Sequence, residues 1–242
     1  MTHLIQRIGS KTNDIKYFKD LLPLDVKNVV EPFGGSFAVI RDVYHDNKYN
    51  KFVNDTDLDL YYIYTHPQAL INGFKFWNEI NKKNILTRKK KELLMKSKLN
   101  EHVKKYIIDN SIVRGSLTKS KNITDLKDEL NLIKNINFTN MDAFELIDKF
   151  KYKKDTFVFL DPPYLFSNNS GYFTQNEKSD MTEYIIYFLN LFNDRKVKAK
   201  VMLIINDLGI LRHLFKDFIV GSYEKIYQIS KKKMRHLIIT NY

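Results

Sequence analysis

A short apolar run that ends in an acid, two prolines and an aromatic residue is the part of the sequence best suited to chemistry. The run covers residues 156–160, and Asp161, Pro162, Pro163 and Tyr164 follow it. Proline has no N–H to give to a strand and fixes its own φ, so the Asp161 carboxylate, the Pro162 carbonyl and the Tyr164 ring project from a stiff segment. Two rigid acceptors beside an aromatic face suit the exocyclic amine of a flat base, because the acceptors take its two N–H bonds and the ring stacks on its plane.

The element that must position Asp161 is a buried strand. Residues 156–160 are β-branched and aromatic and follow a polar stretch, as expected for a strand in a sheet that is covered on both faces. Open α/β sheets form their ligand crevices at the carboxyl ends of parallel strands, which is where Asp161 stands. Further strands are predicted at residues 29–30, 51–54, 136–141, 200–205, 218–230 and 236–240, and helices at 15–22, 69–80, 89–108, 181–193 and 208–216.

The Asp161-Pro162-Pro163-Tyr164 segment resembles the catalytic motif of S-adenosylmethionine-dependent methyltransferases that act on the N6 of adenine. Other segments resemble motifs of the Dam or D12 class of these enzymes, and they occur in the order of that class. The resemblance implies an α/β fold with a Rossmann-like methyltransferase sheet. It also implies direct methyl transfer from S-adenosylmethionine to an adenine that is flipped out of DNA, with those four residues as the catalytic set.

A glycine pair between a predicted strand and a predicted helix indicates a ligand loop. Gly34 and Gly35 let the backbone pass close to a ligand, and the helix start offers free N–H groups. Asp55 ends the next strand about twenty residues later, where it can accept hydrogen bonds from ribose hydroxyls, and Asp57 is the runner-up. In the resembling class, an acid at the position of Asp142 contacts the cofactor's adenine. The residues expected to bind S-adenosylmethionine are Arg7, Gly9, Lys11, Phe33, Gly34, Gly35, Asp55, Asp142 and Asp161.

Between the glycine pair and the Asp-Pro-Pro-Tyr motif, strand-like runs stop and a basic, helical pattern takes over. The resembling class has its target-recognition domain at this place. We therefore predict a catalytic domain of residues 1–66 and 135–242 with a helical DNA-recognition insert of residues 67–134. Residues 109–118 are expected to form a polar loop that reads base edges, and residues 231–235 a basic hairpin tip. The predicted DNA contacts of the insert are Lys89, Lys90, Lys91, Asn110, Arg114, Lys119 and Lys121.

Composition narrows the class of protein and its partners. The 242-residue chain has a net charge of +12, which favours a polyanionic partner such as duplex DNA. No run approaches the roughly 18 apolar residues of a membrane span, and the start lacks a signal-peptide core, so we expect no membrane partner. The expected location is the cytoplasm, or the nucleus or a viral factory in a eukaryotic host. There is no cysteine, which excludes disulfides and thiol catalysis, and the six histidines lack metal-ligand spacing, so no metal is predicted.

Three other functions stay open. Phe37 stands where relatives often have glycine, and Ala143 where they have an aromatic, so the chain could be an inactive DNA-binding protein of the same fold. An RNA adenine N6-methyltransferase is possible because stacking on a splayed base needs no duplex. Protein glutamine methylation ranks low, because its related motif normally has Asn at the position of Asp161. The recognised DNA sequence, the oligomeric state and any accompanying restriction nuclease are not predicted.

Overall fold

The computed structural model contains a seven-stranded sheet with helices on both faces, and it describes residues 5, 10–83, 85–113, 116–117, 127–163, 181–226 and 233–242. The strands are β1 (Asn28–Glu31), β2 (Asn50–Asn54), β3 (Ile112–Val113), β4 (Ser116–Leu117), β5 (Ile136–Thr139), β6 (Thr156–Leu160), β7 (Lys200–Asn206), β8 (Ile219–Ile226) and β9 (Lys233–Thr240). The helices are α1 (Ala38–Asp42), α2 (Leu58–Thr65), α3 (Pro67–Asn81), α4 (Thr87–Met95), α5 (Glu101–Ser111), α6 (Lys127–Lys134), α7 (Ala143–Phe150), α8 (Met181–Asn193) and α9 (Gly209–Leu214).

The strand order places the predicted site residues along one edge. The order is β5-β2-β1-β6-β7-β9-β8; the first five strands run parallel, and β9 runs antiparallel to both of its neighbours. The chain moves outward from β1 through β2 to β5, then returns to add β6 on the other side of β1. The direction therefore switches between β1 and β6, where sheets of this kind open a ligand crevice at the carboxyl ends of their strands. This confirms the predicted α/β class.

Strand β6 shows why the sheet needs cover on both sides. All five of its residues are buried. Phe157 and Phe159 belong to a hydrophobic cluster with α1 to α6 and the amino-terminal segment, whereas Val158 and Leu160 belong to a second cluster with α7, α8 and α9. Successive side chains of a strand point to opposite faces, so this alternation gives one core on each side of the sheet. None of the helices in the described ranges has the length and apolar character to cross a bilayer.

Two predicted helices differ from the structure. Residues 15–22 do not form one helix; the chain instead makes short 3-10 turns at Lys11–Asn13, Ile15–Tyr17 and Lys19–Leu21. Phe18 breaks the helix with φ −138° and is buried with its ring stacked 5.7 Å from Phe159, so tertiary packing overrides local propensity.

The predicted helix 89–108 is two helices, α4 and α5. The break follows from local polar side chains: Ser97 Oγ donates to the Leu94 carbonyl at 2.6 Å, and Asn100 Oδ1 accepts from the His102 N–H at 2.9 Å. The loop predicted at 109–118 is also wrong in part, because α5 continues to Ser111 and β3 pairs antiparallel with β4. The helices α2, α6 and α7 were not predicted.

Candidate active site

Asp161 lies directly after β6, and its carboxylate forms an ion pair with Lys11. Lys11 Nζ is 2.5 Å from Asp161 Oδ1, and the side chains are 3% and 21% exposed, respectively. Burial raises the pKa of the Asp161 carboxyl above its ordinary value, and the Lys11 ammonium works against that rise. The two prolines after Asp161 lie against the protein, with Pro162 buried and Pro163 half-buried. The predicted stacking residue Tyr164 lies outside the described residues.

The turn that carries Lys11 is tied to the loop after β1. Ser10 Oγ lies 2.7 Å from Ser36 Oγ, and the buried Arg41 guanidinium donates to Thr12 Oγ1 at 2.6 Å and to the Ser36 carbonyl at 3.2 Å. These contacts join residues 10–12 to residues 36–41 at the carboxyl edge of the sheet. Lys11 therefore lies beside the glycine loop and Asp161, whereas the predicted cofactor residues Arg7 and Gly9 lie outside the described residues.

The glycine pair is required for two different reasons. Gly34 passes so close to β2 that an added Cβ would lie 2.5 Å from Val53 Cγ1 and 2.9 Å from the Asn54 carbonyl oxygen. Gly35 has φ +51°, in the left-handed region, and an added Cβ there would meet no atom within 4 Å. The loop is thus pinned to the sheet at Gly34 and faces open space at Gly35.

Phe37 adopts a backbone conformation that favours glycine. Its φ of +39° is left-handed, and it caps α1 without a side-chain hydrogen bond. Its ring is fully buried and packs edge-on against Tyr64 and Phe138, which holds the unusual backbone in place. The missing cap is supplied by Glu31 at the end of β1, whose Oε1 accepts from the Ile40 N–H at 2.5 Å. The loop therefore keeps an ordered shape with Phe37 in it.

Asp55 connects the end of β2 with the glycine loop. Its Oδ2 accepts from the Gly35 N–H at 2.9 Å, and its Oδ1 accepts from the Asp57 N–H at 3.0 Å. Asp57, the second choice for the ribose contact, caps α2 by accepting from the Asp59 and Leu60 N–H groups. Asp55 is thus the acid next to the glycine loop, and Asp57 has a structural role.

Asp142 begins α7 at the carboxyl edge of β5. Its side chain is exposed and accepts from the Phe144 N–H at 2.7 Å and the Glu145 N–H at 3.3 Å, so it is an N-cap. Phe144 stacks on Tyr187 with ring centroids 4.1 Å apart, and Ala143 is buried. The aromatic one place after Ala143 therefore packs against α8.

Sequence reasoning missed Asn54, the last residue of β2. Its buried amide donates to the carbonyls of Pro32 at 3.1 Å and Met141 at 3.0 Å, and its Oδ1 accepts from the Met141 N–H and the Thr139 hydroxyl. One side chain thus joins the ends of β1, β2 and β5. The available signal was an asparagine directly before an acid at the end of an apolar strand.

The residues along this edge fit a nucleoside-bearing methyl donor. The open space at Gly35 lies beside the Asp55 carboxylate, which can accept from ribose hydroxyls. The Lys11–Asp161 pair reaches the same loop through the contacts between Ser10 and Ser36. Among the described residues, no three His, Cys, Asp or Glu side chains come together as metal ligands.

The basic residues of the insert divide into exposed and buried ones. Lys89 and Lys91 are exposed on α4. Lys90 is only 6% exposed, and its Nζ donates to the Asn81 carbonyl at the end of α3 at 3.0 Å, so this predicted DNA contact is corrected to a helix-end contact. Lys104 makes the same contact with the Met95 carbonyl at the end of α4. For the remaining predictions, the backbone of Asn110 lies in α5, whereas Arg114, Lys119 and Lys121 fall outside the described residues.

The strand order, the reversed β9 and the acid at the end of β6 define a Rossmann-like methyltransferase. The family profile of the D12 class N6 adenine-specific DNA methyltransferases matches residues 8–114 and 110–234. The chain belongs to this family and is therefore an adenine-specific DNA methyltransferase.

The chain is also similar to a viral methyltransferase and, more weakly, to a solved structure. The type II methyltransferase M.CviBI of Paramecium bursaria Chlorella virus NC1A is 26% identical over an alignment of 271 positions that covers all of both chains. Among solved structures, the delta-N METTL16 MTase domain aligns with 96% of this chain and 82% of its own, at 10% identity and a TM-score of 0.47.

Proposed function

We propose that the protein transfers a methyl group from S-adenosylmethionine directly to the N6 of an adenine that is flipped out of duplex DNA. The observation that carries this proposal is the Asp161 carboxylate, which stands at the carboxyl end of β6 and is paired with Lys11 beside the glycine loop. S-adenosylmethionine, when bound, supplies a methyl group that is already activated on a sulfonium, so no covalent enzyme intermediate is needed.

Asp161 and the Pro162 carbonyl are the proposed acceptors for the two N6 hydrogens. Adenine N6 is conjugated with its ring and is a poor nucleophile, and hydrogen bonds to two acceptors disfavour that conjugation. The Asp161 carboxylate also stabilises the positive charge that develops on N6 during transfer. Lys11 favours the ionised form of Asp161, whose burial alone disfavours it. Positioning of this kind is worth about 7 to 11 kcal/mol in well-oriented reactions.

The proposed binding residues for the donor are the glycine loop and the acids at the strand ends. Asp55 accepts from the ribose hydroxyls, and Asp142 contacts the adenine from the start of α7. Both carboxylates accept hydrogen bonds from backbone N–H groups of the loop or helix next to them, so both are held in fixed positions. Arg7, Gly9 and Phe33 complete the proposed donor site.

The proposed recognition domain is the helical insert of residues 67–134, within a catalytic domain of residues 1–66 and 135–242. Exposed Lys89 and Lys91 contact phosphates, and Asn110, Arg114, Lys119 and Lys121 complete the proposed DNA contacts. Flipping the base costs a few kcal/mol, which stacking on Tyr164 offsets in part. The reaction takes place where its DNA is, in the cytoplasm, or in the nucleus or a viral factory of a eukaryotic host.

The test is transfer of labelled methyl from S-adenosylmethionine to unmethylated duplex DNA, with the modified nucleoside identified by mass. We expect N6-methyladenine from the wild type and none from Asp161→Ala, which should keep close to wild-type affinity for the donor and for DNA. The matched control is Asp155→Ala, because Asp155 precedes the same strand at its opposite end and is exposed in a pair with Lys27. Wild-type turnover by Asp161→Ala would refute the role of this acid.

Single-stranded RNA is assayed in parallel, because stacking on a splayed base does not require a duplex. Label on RNA alone would contradict the proposed substrate while it supports the chemistry. No label on either nucleic acid would contradict the proposed reaction.

A further inference from the structure

A second buried ion pair lies next to the Lys11–Asp161 pair. Asp14 is 2% exposed, and its Oδ2 is 2.7 Å from Lys225 Nζ near the end of β8. The Tyr223 hydroxyl donates to the same oxygen at 3.3 Å. A carboxylate buried to this degree needs a cation and hydrogen-bond donors, and β8 supplies both.

This second pair fixes the turn that carries Lys11. The Asp14 N–H donates to the Lys11 carbonyl at 2.7 Å and closes the turn, whereas Lys225 Nζ also lies 3.5 Å from the Ser10 carbonyl oxygen just before it. Strand β8 therefore holds the turn on both sides of Lys11. Because Lys11 reaches Asp161 from this turn, a contact made by β8 determines where the partner of the catalytic acid stands.

The charges of Asp161, Lys11, Asp14 and Lys225 alternate in sign in this order, and they influence one another. Lys225 lowers the pKa of Asp161 and Asp14 raises it, in addition to the effects of burial and of Lys11. If Lys225 is removed, Asp14 becomes a buried carboxylate without that cation, and the ammonium of Lys11 on the same turn is the charge available to it. An ammonium drawn toward Asp14 would move away from Asp161.

Other titratable groups face this cluster from β1, β8 and β9. His236 of β9 is fully buried and stacks on Tyr223, and burial together with Lys11 and Lys225 lowers its pKa to about 3, so it is neutral in the working pH range. Burial raises the pKa of Glu31 at the end of β1 to about 8, and the Asp161 carboxylate adds to that rise.

We propose that Asp14 and Lys225 are positioning residues for methyl transfer, and that their ion pair keeps Lys11 on Asp161 instead of on Asp14. The proposal rests on the proposed function, in which Asp161 must be ionised to hold N6. In this proposal β8 contacts neither the donor nor the base. Its Lys225 helps to keep the Asp161 carboxylate ionised.

The test is the pH profile of kcat for methyl transfer to duplex DNA by the full chain. The acid limb of this profile is the fall of kcat at low pH. Lys225→Met should move the acid limb upward by about one pH unit, which is the lower end of the pKa change that a carboxyl shows when it loses a nearby positive charge. The KM values for donor and DNA should change little. Lys225→Arg should keep the wild-type limb. The double variant Asp14→Asn/Lys225→Met, which removes both charges, should return the limb close to its wild-type position.

A matched control uses an ion pair of the same length at the amino edge of the sheet. Lys200 Nζ lies 2.7 Å from Asp25 Oδ1 in a more exposed pair, so Lys200→Met removes an ion-paired lysine without touching the site, and its profile should match the wild type. If Lys225→Met does not fold, Asp14→Asn provides the opposite perturbation and should move the acid limb downward.

Two results would overturn the proposal: an acid limb that none of these variants moves, or a double variant as impaired as Lys225→Met. A loss of kcat that follows the melting temperature while the limb stays in place would show a structural role only. These results are distinct from failure of the proposed function, in which the wild type itself transfers no methyl group.

Discussion

Replacing Glu31 by glutamine should make the protein more stable in alkaline solution. Glu31 is 3% exposed, and its Oε1 accepts from the Ile40 N–H in the first turn of α1. Burial raises the pKa of this carboxyl from 4.5 to about 8, against the opposing effects of the Ile40 N–H and of Arg41. The Glu31 carboxyl is thus held in its neutral form up to about pH 8, and ionising it in the folded protein costs free energy.

The sign of the effect follows from which state binds more protons. Between pH 4.5 and about 8 the folded chain keeps the Glu31 proton and the unfolded chain loses it. The contribution of Glu31 to the free energy of unfolding is therefore fully present below pH 4.5, and it is lost as the pH rises to about 8. At about 1.36 kcal/mol for each pH unit, the whole interval corresponds to about 5 kcal/mol.

The measurement is urea unfolding of wild type and Glu31→Gln from about pH 5 to about pH 9. A glutamine keeps an oxygen that can accept from the Ile40 N–H but cannot ionise, so the two proteins should have similar stability near the acid end. The stability of the variant should then exceed that of the wild type by a growing margin as the pH rises. Glu31→Ala should be destabilised by about 1 to 3 kcal/mol even at low pH, because the Ile40 N–H loses its acceptor.

Parallel stability curves for wild type and Glu31→Gln across this range would refute the reasoning. Such curves would mean that Glu31 has the same pKa in the folded and unfolded chain, and therefore that its carboxyl is not held neutral by burial.

Lys90→Met should lower the free energy of unfolding by about 1 to 3 kcal/mol, because the Asn81 carbonyl loses its donor, and should leave the salt dependence of DNA binding unchanged. Lys91→Met should leave the free energy of unfolding nearly unchanged and should reduce the slope of log affinity for DNA against log salt concentration by about 1. Equal slopes for the two variants would contradict the buried position of Lys90 and the exposed position of Lys91. Gly34→Ala should lower donor affinity in calorimetric titration and lower the melting temperature, because its Cβ would collide with β2. Gly209→Ala, whose Cβ would meet nothing within 4 Å, is its control.

The elements that the sequence predicted best are those with a local cause. The bounds of β6 were predicted correctly because its apolar residues are followed by two prolines, which cannot extend a ladder. Helix α8 was also predicted at its observed bounds from its apolar composition. By contrast, α2 and α7 were missed, although each begins at an acid that caps it. Asp57 and Asp142 were interpreted as ligand residues alone, and the capping rule would have indicated both helices.

The parts of the site that sequence could not predict depend on contacts between distant segments. Lys11 was selected from its motif, but the motif does not say that its ammonium pairs with Asp161. Asn54 carries no motif at all, and its importance appears only when β1, β2 and β5 end at the same edge. The burial of Lys90 could not be foreseen for a related reason, because three adjacent lysines look alike until the packing of α3 against α4 distinguishes them.

The ion pairs Lys11–Asp161 and Asp14–Lys225 also constrain when the turn that carries Lys11 can reach its final position during synthesis. Asp161 lies 150 residues after Lys11, and Lys225 lies 211 residues after Asp14. A nascent chain on the ribosome can complete the glycine loop and the helical insert before β8 has been synthesised. The turn that carries Lys11 must therefore wait until Lys225 has been synthesised before it is fixed. We expect this closure to be a late folding step, since contacts across so long a separation form slowly.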